Sequence, residues 1–138
     1  PFVNVITFVI AIILSPCYSY IYHFLLINTN MKTTNLKNYT GGWVFGNFDP
    51  ALINTTDFEM GIKHHVKGEY VTPHYQLTAT EYNIIVSGNI IANGEALGPN
   101  DIFVYAPDEI CNVEFLEDTT IVCVKSPSVG PEDKIEYK

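Results

Sequence analysis

His74 and Gln76 stand two residues apart, Glu81 follows five residues after Gln76, and Cys111 precedes a later apolar run. An imidazole, a carboxamide, a carboxylate and a thiol can together hold a divalent ion, or bind and deprotonate a polar substrate. Alternate residues of an extended strand share a face, so His74 and Gln76 project together, and a short connection returns Glu81 over that face. A buried carboxylate must be paired or neutralised, so an inward Glu81 needs a metal or His74 as its partner. His74 with Glu81 is therefore the acid–base pair of this reading. Gln76 is an uncharged amide suited to a substrate hydroxyl. Cys111 shares parity with Val113 and Phe115 and completes a mixed donor set of His74, Gln76, Glu81 and Cys111 for one iron, zinc or manganese ion, thiolate favouring the softer metals.

Strands must deliver these groups. From Met31 on, no stretch of a dozen residues repeats apolar positions at the helical period, whereas period-2 alternation is dense. Phe58, Met60, Ile62, His64 and Val66 alternate with Glu59, Gly61, Lys63, His65 and Lys67. The apolar set is expected to face inward and to carry His64 with it, either as a satisfied core histidine or as pocket lining, with His65 turned to solvent. Further runs lie at 71–76, 80–87, 89–92, 102–105, 112–115 and 119–125, and reversals at Gly88, Asn93-Gly94 and Gly98-Pro99-Asn100-Asp101. Many short strands without a helix predict an all-β, antiparallel sandwich or barrel. Tyr75, Tyr82 and Tyr105 would offer ring faces to a sugar and hydroxyls to polar partners. Trp43 is expected to cover one barrel end or a subunit contact, and Val44, Ile84 and Val86 to meet a partner chain.

The 138-residue chain carries a formal net charge of −8, with fifteen acids against seven lysines and no arginine, and is 47% hydrophobic. That is enough for one folded core. A nucleic-acid-binding face is excluded, because phosphate affinity requires clustered positive charge. Every charged residue lies from Lys32 onward, whereas residues 1–30 are apolar and uncharged. The first segment is read either as non-native upstream sequence, with Met31 the authentic start, or as a membrane anchor. Lys32 and Lys37 would then keep the following domain cytoplasmic. Either way the compartment is reducing, and Cys17, Cys111 and Cys123 are expected as free thiols. The expected organisation is an N-terminal arm at 31–42, a barrel at 43–125 and a surface tail at 126–138.

Gly68, five residues, His74, one residue, Gln76, four residues, Glu81, six residues and Gly88 resembles the first signature of the cupin superfamily, with glutamine where a second histidine is usual. The stretch Asn100-Asp101-Ile102-Phe103-Val104-Tyr105-Ala106-Pro107 resembles the second signature, with Cys111 in the place of the third metal histidine. Gly42-Trp43-Val44-Phe45-Gly46-Asn47-Phe48, Thr78-Ala79-Thr80-Glu81-Tyr82 and Lys125-Ser126-Pro127-Ser128-Val129 look like small single-domain cupins of bacteria and their phages. The resemblance implies a double-stranded β-helix, or jelly-roll barrel, often with one divalent ion held by three histidines and a glutamate.

Three functions follow as expectations. The first is a barrel that binds a small polyhydroxylated molecule through Gln76, His64, Tyr82 and Tyr105, with His74 and Glu81 supplying isomerase- or epimerase-type acid–base chemistry. The second is a divalent-metal enzyme of oxygenase or isomerase type. The third is a noncatalytic accessory protein that dimerises. A homodimer is expected in each case, since about 108 residues from Met31 bury only a moderate share of their surface.

Overall fold

The computed structural model describes residues 31–137; the expectations for residues 1–30, including Cys17, lie outside the described residues. The folded unit begins at Thr34. Ten strands form it among the described residues: β1 (Trp43–Phe45), β2 (Glu59–His65), β3 (His74–Gln76), β4 (Thr80–Ser87), β5 (Ile90–Ala92), β6 (Glu95–Leu97), β7 (Ile102–Tyr105), β8 (Val113–Phe115), β9 (Thr119–Ser126) and β10 (Lys134–Glu136). Only short 3-10 turns accompany them. No helix among the described residues is long and apolar enough to cross a membrane.

One layer is a five-stranded sheet in the order β1-β2-β9-β4-β7, with the paired strands antiparallel. The other is assembled from two ladders, β10-β3 and β6-β5-β8. Antiparallel bridges at Tyr70–Glu114 and His74–Cys111 join them. His74 N donates to the Cys111 carbonyl at 3.1 Å, and Cys111 N returns a bond to the His74 carbonyl at 2.6 Å. Two antiparallel layers wrapped in this way are the jelly-roll arrangement anticipated from the dense short strands.

Turn chemistry sets the registers. Asn93 and Gly94 both have positive φ, at 48° and 86°, the geometry a two-residue β5-β6 hairpin requires. Gly88 has φ 86°, and a Cβ there would lie 2.6 Å from the Asp118 carbonyl, so the β4-β5 corner presses directly on the strand that opens β9.

Rows of side chains cross the inner face of the five-stranded sheet in register. Glu59, Lys125, Glu81 and Tyr105 form one row, and Gly61, Cys123, Asn83 and Phe103 the next. A third contains Lys63, Ile121 and Ile85. Ile85 and Ile121 then join Ile90, Ala92 and Phe115 in the buried apolar core, with Val71, Leu97, Phe103 and Val113 packed around it. The barrel is thus hydrocarbon at one end and polar at the other. The polar end can receive a hydrophilic guest without disrupting the core.

Two expectations are corrected here. On β2 the inward residues are Glu59, Gly61, Lys63 and His65, whereas His64 is exposed and has Nδ1 3.1 Å from Thr120 Oγ1 on the outer face. The apolar set of β2 covers the outside of the sheet, because the barrel's polar end needs the polar set within. The segment from Ser126 onward also does more than run over the surface. β10 pairs with β3, placing Lys134 opposite Gln76, and Asp133 is buried where its carboxylate accepts from Ala79 N at 3.2 Å.

Candidate active site

A cavity of about 450 Å³ lies between the polar groups of the barrel and the edge of the apolar core at Phe115 and Ile121. His74, Gln76, Glu81 and Cys111 all line it, so the four groups singled out from spacing do converge. Asn83, Lys63 and Lys125 share the wall with them.

His74 is 7% exposed on β3. Its Nδ1–H donates to the Thr72 carbonyl at 2.9 Å, which fixes the tautomer and leaves Nε2 with a lone pair. Burial pulls the imidazole pKa down from 6.5, so the ring is neutral at pH 7 and able to accept a proton.

Glu81 is held by amides instead of by His74 or a cation. Gln76 Nε2 donates to Oε2 at 3.3 Å and Asn83 Nδ2 donates to Oε1 at 3.0 Å. The expected pairing of Glu81 with His74 is corrected, for no hydrogen bond joins the two among the described residues. Asn83, 5% exposed, is the residue sequence reasoning missed. Its parity with Glu81 on one strand was the available signal. Gln76 is 4% exposed and its Oε1 has no partner, an acceptor held ready for a donor from a guest.

Cys111 lies beside Tyr105, and burial pushes its thiol up to about 12. Tyr105 is buried on β7 with its hydroxyl lacking a hydrogen-bond partner, and burial raises its pKa as well. Tyr82, expected at the substrate, is instead 42% exposed on the outer face, since it alternates with the inward Glu81 and Asn83. The inward histidine of β2 is His65, which stacks on Phe115 at 4.1 Å and donates through Nδ1 to Glu69 Oε1 at 3.0 Å.

Trp43 lines the cavity. Gly61 opposite it leaves room for the indole, because a Cβ there would sit 2.9 Å from the ring. Lys63 Nζ lies 3.8 Å and Lys125 Nζ 4.9 Å from the ring centroid, both within cation–π range. Lys125 is also paired with Glu59, whose Oε2 accepts from Ser128 Oγ at 3.2 Å.

The cavity residues do not fit a divalent ion. Glu81 already accepts an amide bond on each oxygen, Gln76 directs its amide nitrogen at that carboxylate, and the Cys111 thiol holds its proton at neutral pH. Lys63, Lys125 and Lys134 add positive charge to the same wall. No group of three or more histidine, cysteine or acidic side chains arranged to hold a metal occurs among the described residues.

No family model and no curated protein matches the sequence. Solved structures do. A protein with a double-stranded β-helix domain from Klebsiella pneumoniae superposes with a TM-score of 0.56 at 17% identity, over 79% of this chain and 93% of that one. The chain therefore has the double-stranded β-helix fold. The DMSP lyase DddQ from Ruegeria pomeroyi shares the fold with a TM-score of 0.55 at 14% identity, over 68% of this chain and 49% of the lyase. A bacterial pirin, YhhW from Escherichia coli, in complex with nickel(II), gives 0.52 at 18% identity, over 63% of this chain and 39% of the pirin. At such identities the likeness is one of fold, and the chemistry of this barrel has to come from its own side chains.

Proposed function

We propose that the cupin barrel binds a small polyhydroxylated, sugar-like molecule and moves a proton on it by acid–base catalysis. The observation that carries this reading is the chain Gln76–Glu81–Asn83 beside a neutral His74. It combines an unpartnered amide oxygen, a carboxylate fixed by two amides and a free imidazole lone pair on one cavity wall. Gln76 Oε1 accepts a substrate hydroxyl. His74 Nε2 takes a proton from the carbon next to the substrate carbonyl, and Glu81 holds the neighbouring hydroxyls in place. Return of the proton to the same or the adjacent carbon gives epimerisation or isomerisation.

Calorimetry of the full chain against a panel of reducing sugars, sugar acids and nucleotide sugars tests binding. One site per chain is expected, at least tenfold weaker in Gln76→Ala. Deuterium uptake from heavy water at the carbon beside the sugar carbonyl tests the chemistry and should vanish in His74→Ala. Absence of heat across the whole panel overturns the reading.

The outer face of the five-stranded sheet supports a second copy of the chain as partner. Tyr82, Ile84 and Val86 of β4 and Ile102 and Val104 of β7 are all exposed there, Ile102 by 65%. Contiguous exposed apolar surface of this kind marks an interaction site.

A further inference from the structure

Of the cavity lysines, Lys134 is exposed and Lys125 is paired with Glu59, whereas Lys63 is shielded and, among the described residues, without a carboxylate partner. It lies on the inward face of β2, half-buried, and lines the same cavity as His74, Gln76 and Glu81. Its ammonium shares the Trp43 ring with Lys125, yet the carboxylate available to the pair, Glu59, is taken by Lys125. Among the described residues Lys63 has no ion pair; its one hydrogen bond is donated to the Gly41 carbonyl at 2.6 Å.

We propose that Lys63 is an imine-forming lysine, whose amine condenses with the aldehyde or ketone carbonyl of a small molecule in the barrel cavity. The proposal rests on the sugar-like reading above only for the identity of its natural carbonyl compound. In the step, the Nζ lone pair forms a bond to the carbonyl carbon while the carbonyl oxygen gains a proton. Nitrogen then loses its protons as the oxygen departs as water, leaving a C=N bond with no change in oxidation state. A protonated imine withdraws electrons more strongly than a carbonyl, so the neighbouring carbon gives up its proton to His74 more readily.

The surroundings free a larger share of this amine near neutral pH than on an exposed lysine, although the Trp43 ring and the Gly41 carbonyl hold the ammonium form. Burial, reinforced by the Lys125 charge, brings the Lys63 pKa from 10.5 to about 8, against the opposing pull of Cys123, Glu59 and Glu81. Glu59 is already committed to Lys125, and burial raises the Cys123 pKa so that the thiol stays neutral. A lysine beside a second cation in a desolvated pocket is an established way to generate a nucleophilic amine near neutral pH. The alternative is a strut: Lys63 merely ties the N-terminal arm to the barrel through Gly41.

Glycolaldehyde with cyanoborohydride separates the two. In the full chain, at limiting aldehyde and pH 7.5, peptide mapping should find one hydroxyethyl group on Lys63 at least tenfold ahead of the exposed Lys32, Lys37 and Lys67. The Lys63 labelling rate should rise through about pH 8. Lys63→Arg, which keeps a cation over Trp43, should abolish the preferential label while circular dichroism stays unchanged. Equal labelling of all lysines, or a Lys63 rate that climbs only toward pH 10, overturns the proposal and leaves the strut. If Lys63 is labelled but no sugar binds, the amine stands and the sugar-like reading falls. If sugars bind and Lys63 stays unlabelled, the reverse holds.

Discussion

Asn83 Nδ2 donates to Glu81 Oε1 at 3.0 Å, and the two residues lie one step apart on the inward face of the same strand. With Gln76 on the opposite oxygen, the carboxylate is clamped between two amides contributed by both layers of the barrel. The half-buried carboxylate is satisfied without a salt bridge because each oxygen has a donor.

Asn83→Ala should therefore cost about 1–3 kcal/mol, the range for leaving a polar group in a half-buried site without its hydrogen-bond partner. Glu81→Gln should cost a similar amount, since its own amide must face one of the two donors. Urea denaturation of the single and double variants would reveal the coupling. A double variant no more damaged than the worse single one is the expected outcome; full additivity would mean that the clamp does not act as a unit.

His74 sets an acid limit on stability. Its folded pKa lies below 6.5 because the ring is buried, so the unfolded chain binds the proton more readily. The stability tied to a neutral His74 is present above pH 6.5 and is lost progressively as pH falls below that value toward the folded pKa. Urea midpoints followed from pH 7.5 to 5 should fall less steeply in His74→Gln than in the native chain. Identical slopes would count against burial as the controlling term.

The Glu59–Lys125 pair sits within the barrel, and removing one partner strands the other charge. Lys125→Met should destabilise the fold by about 3–5 kcal/mol, whereas joint replacement of Lys125 by Met and Glu59 by Leu should recover most of that loss. Thermal melts of the three variants would check it.

Gly88→Ala meets two obstacles. Its φ of 86° disfavours any Cβ, and the Asp118 carbonyl lies 2.6 Å from where that atom would be. A loss of at least about 1–2 kcal/mol from the backbone alone is expected, readable as a lower urea midpoint. An unchanged midpoint would show that the β4-β5 corner relaxes freely.

If the outer sheet face joins two copies, Ile102→Lys with Val104→Lys should convert a dimer into a monomer in sedimentation experiments without altering the circular dichroism. A native chain that sediments as a monomer at micromolar concentration would remove that reading.

The sequence alone determined the strand content and most of the corners. Period-2 alternation and positive-φ residues such as Asn93-Gly94 act locally, so they are readable without the fold. The shared face of His74 and Gln76 was legible too, because alternate residues on a strand must share a face, whereas the arrival of Glu81 and Cys111 beside them depended on how the strands close into a barrel. Which face of β2 turned inward was decided by the tertiary structure. Both of its residue sets could be buried, and the apolar one lies outside because the barrel's open end takes Lys63 and His65. The same holds for Asn83 and for β10. A carboxylate's partners and a tail strand's place depend on contacts between distant segments, and no local pattern encodes which segments meet.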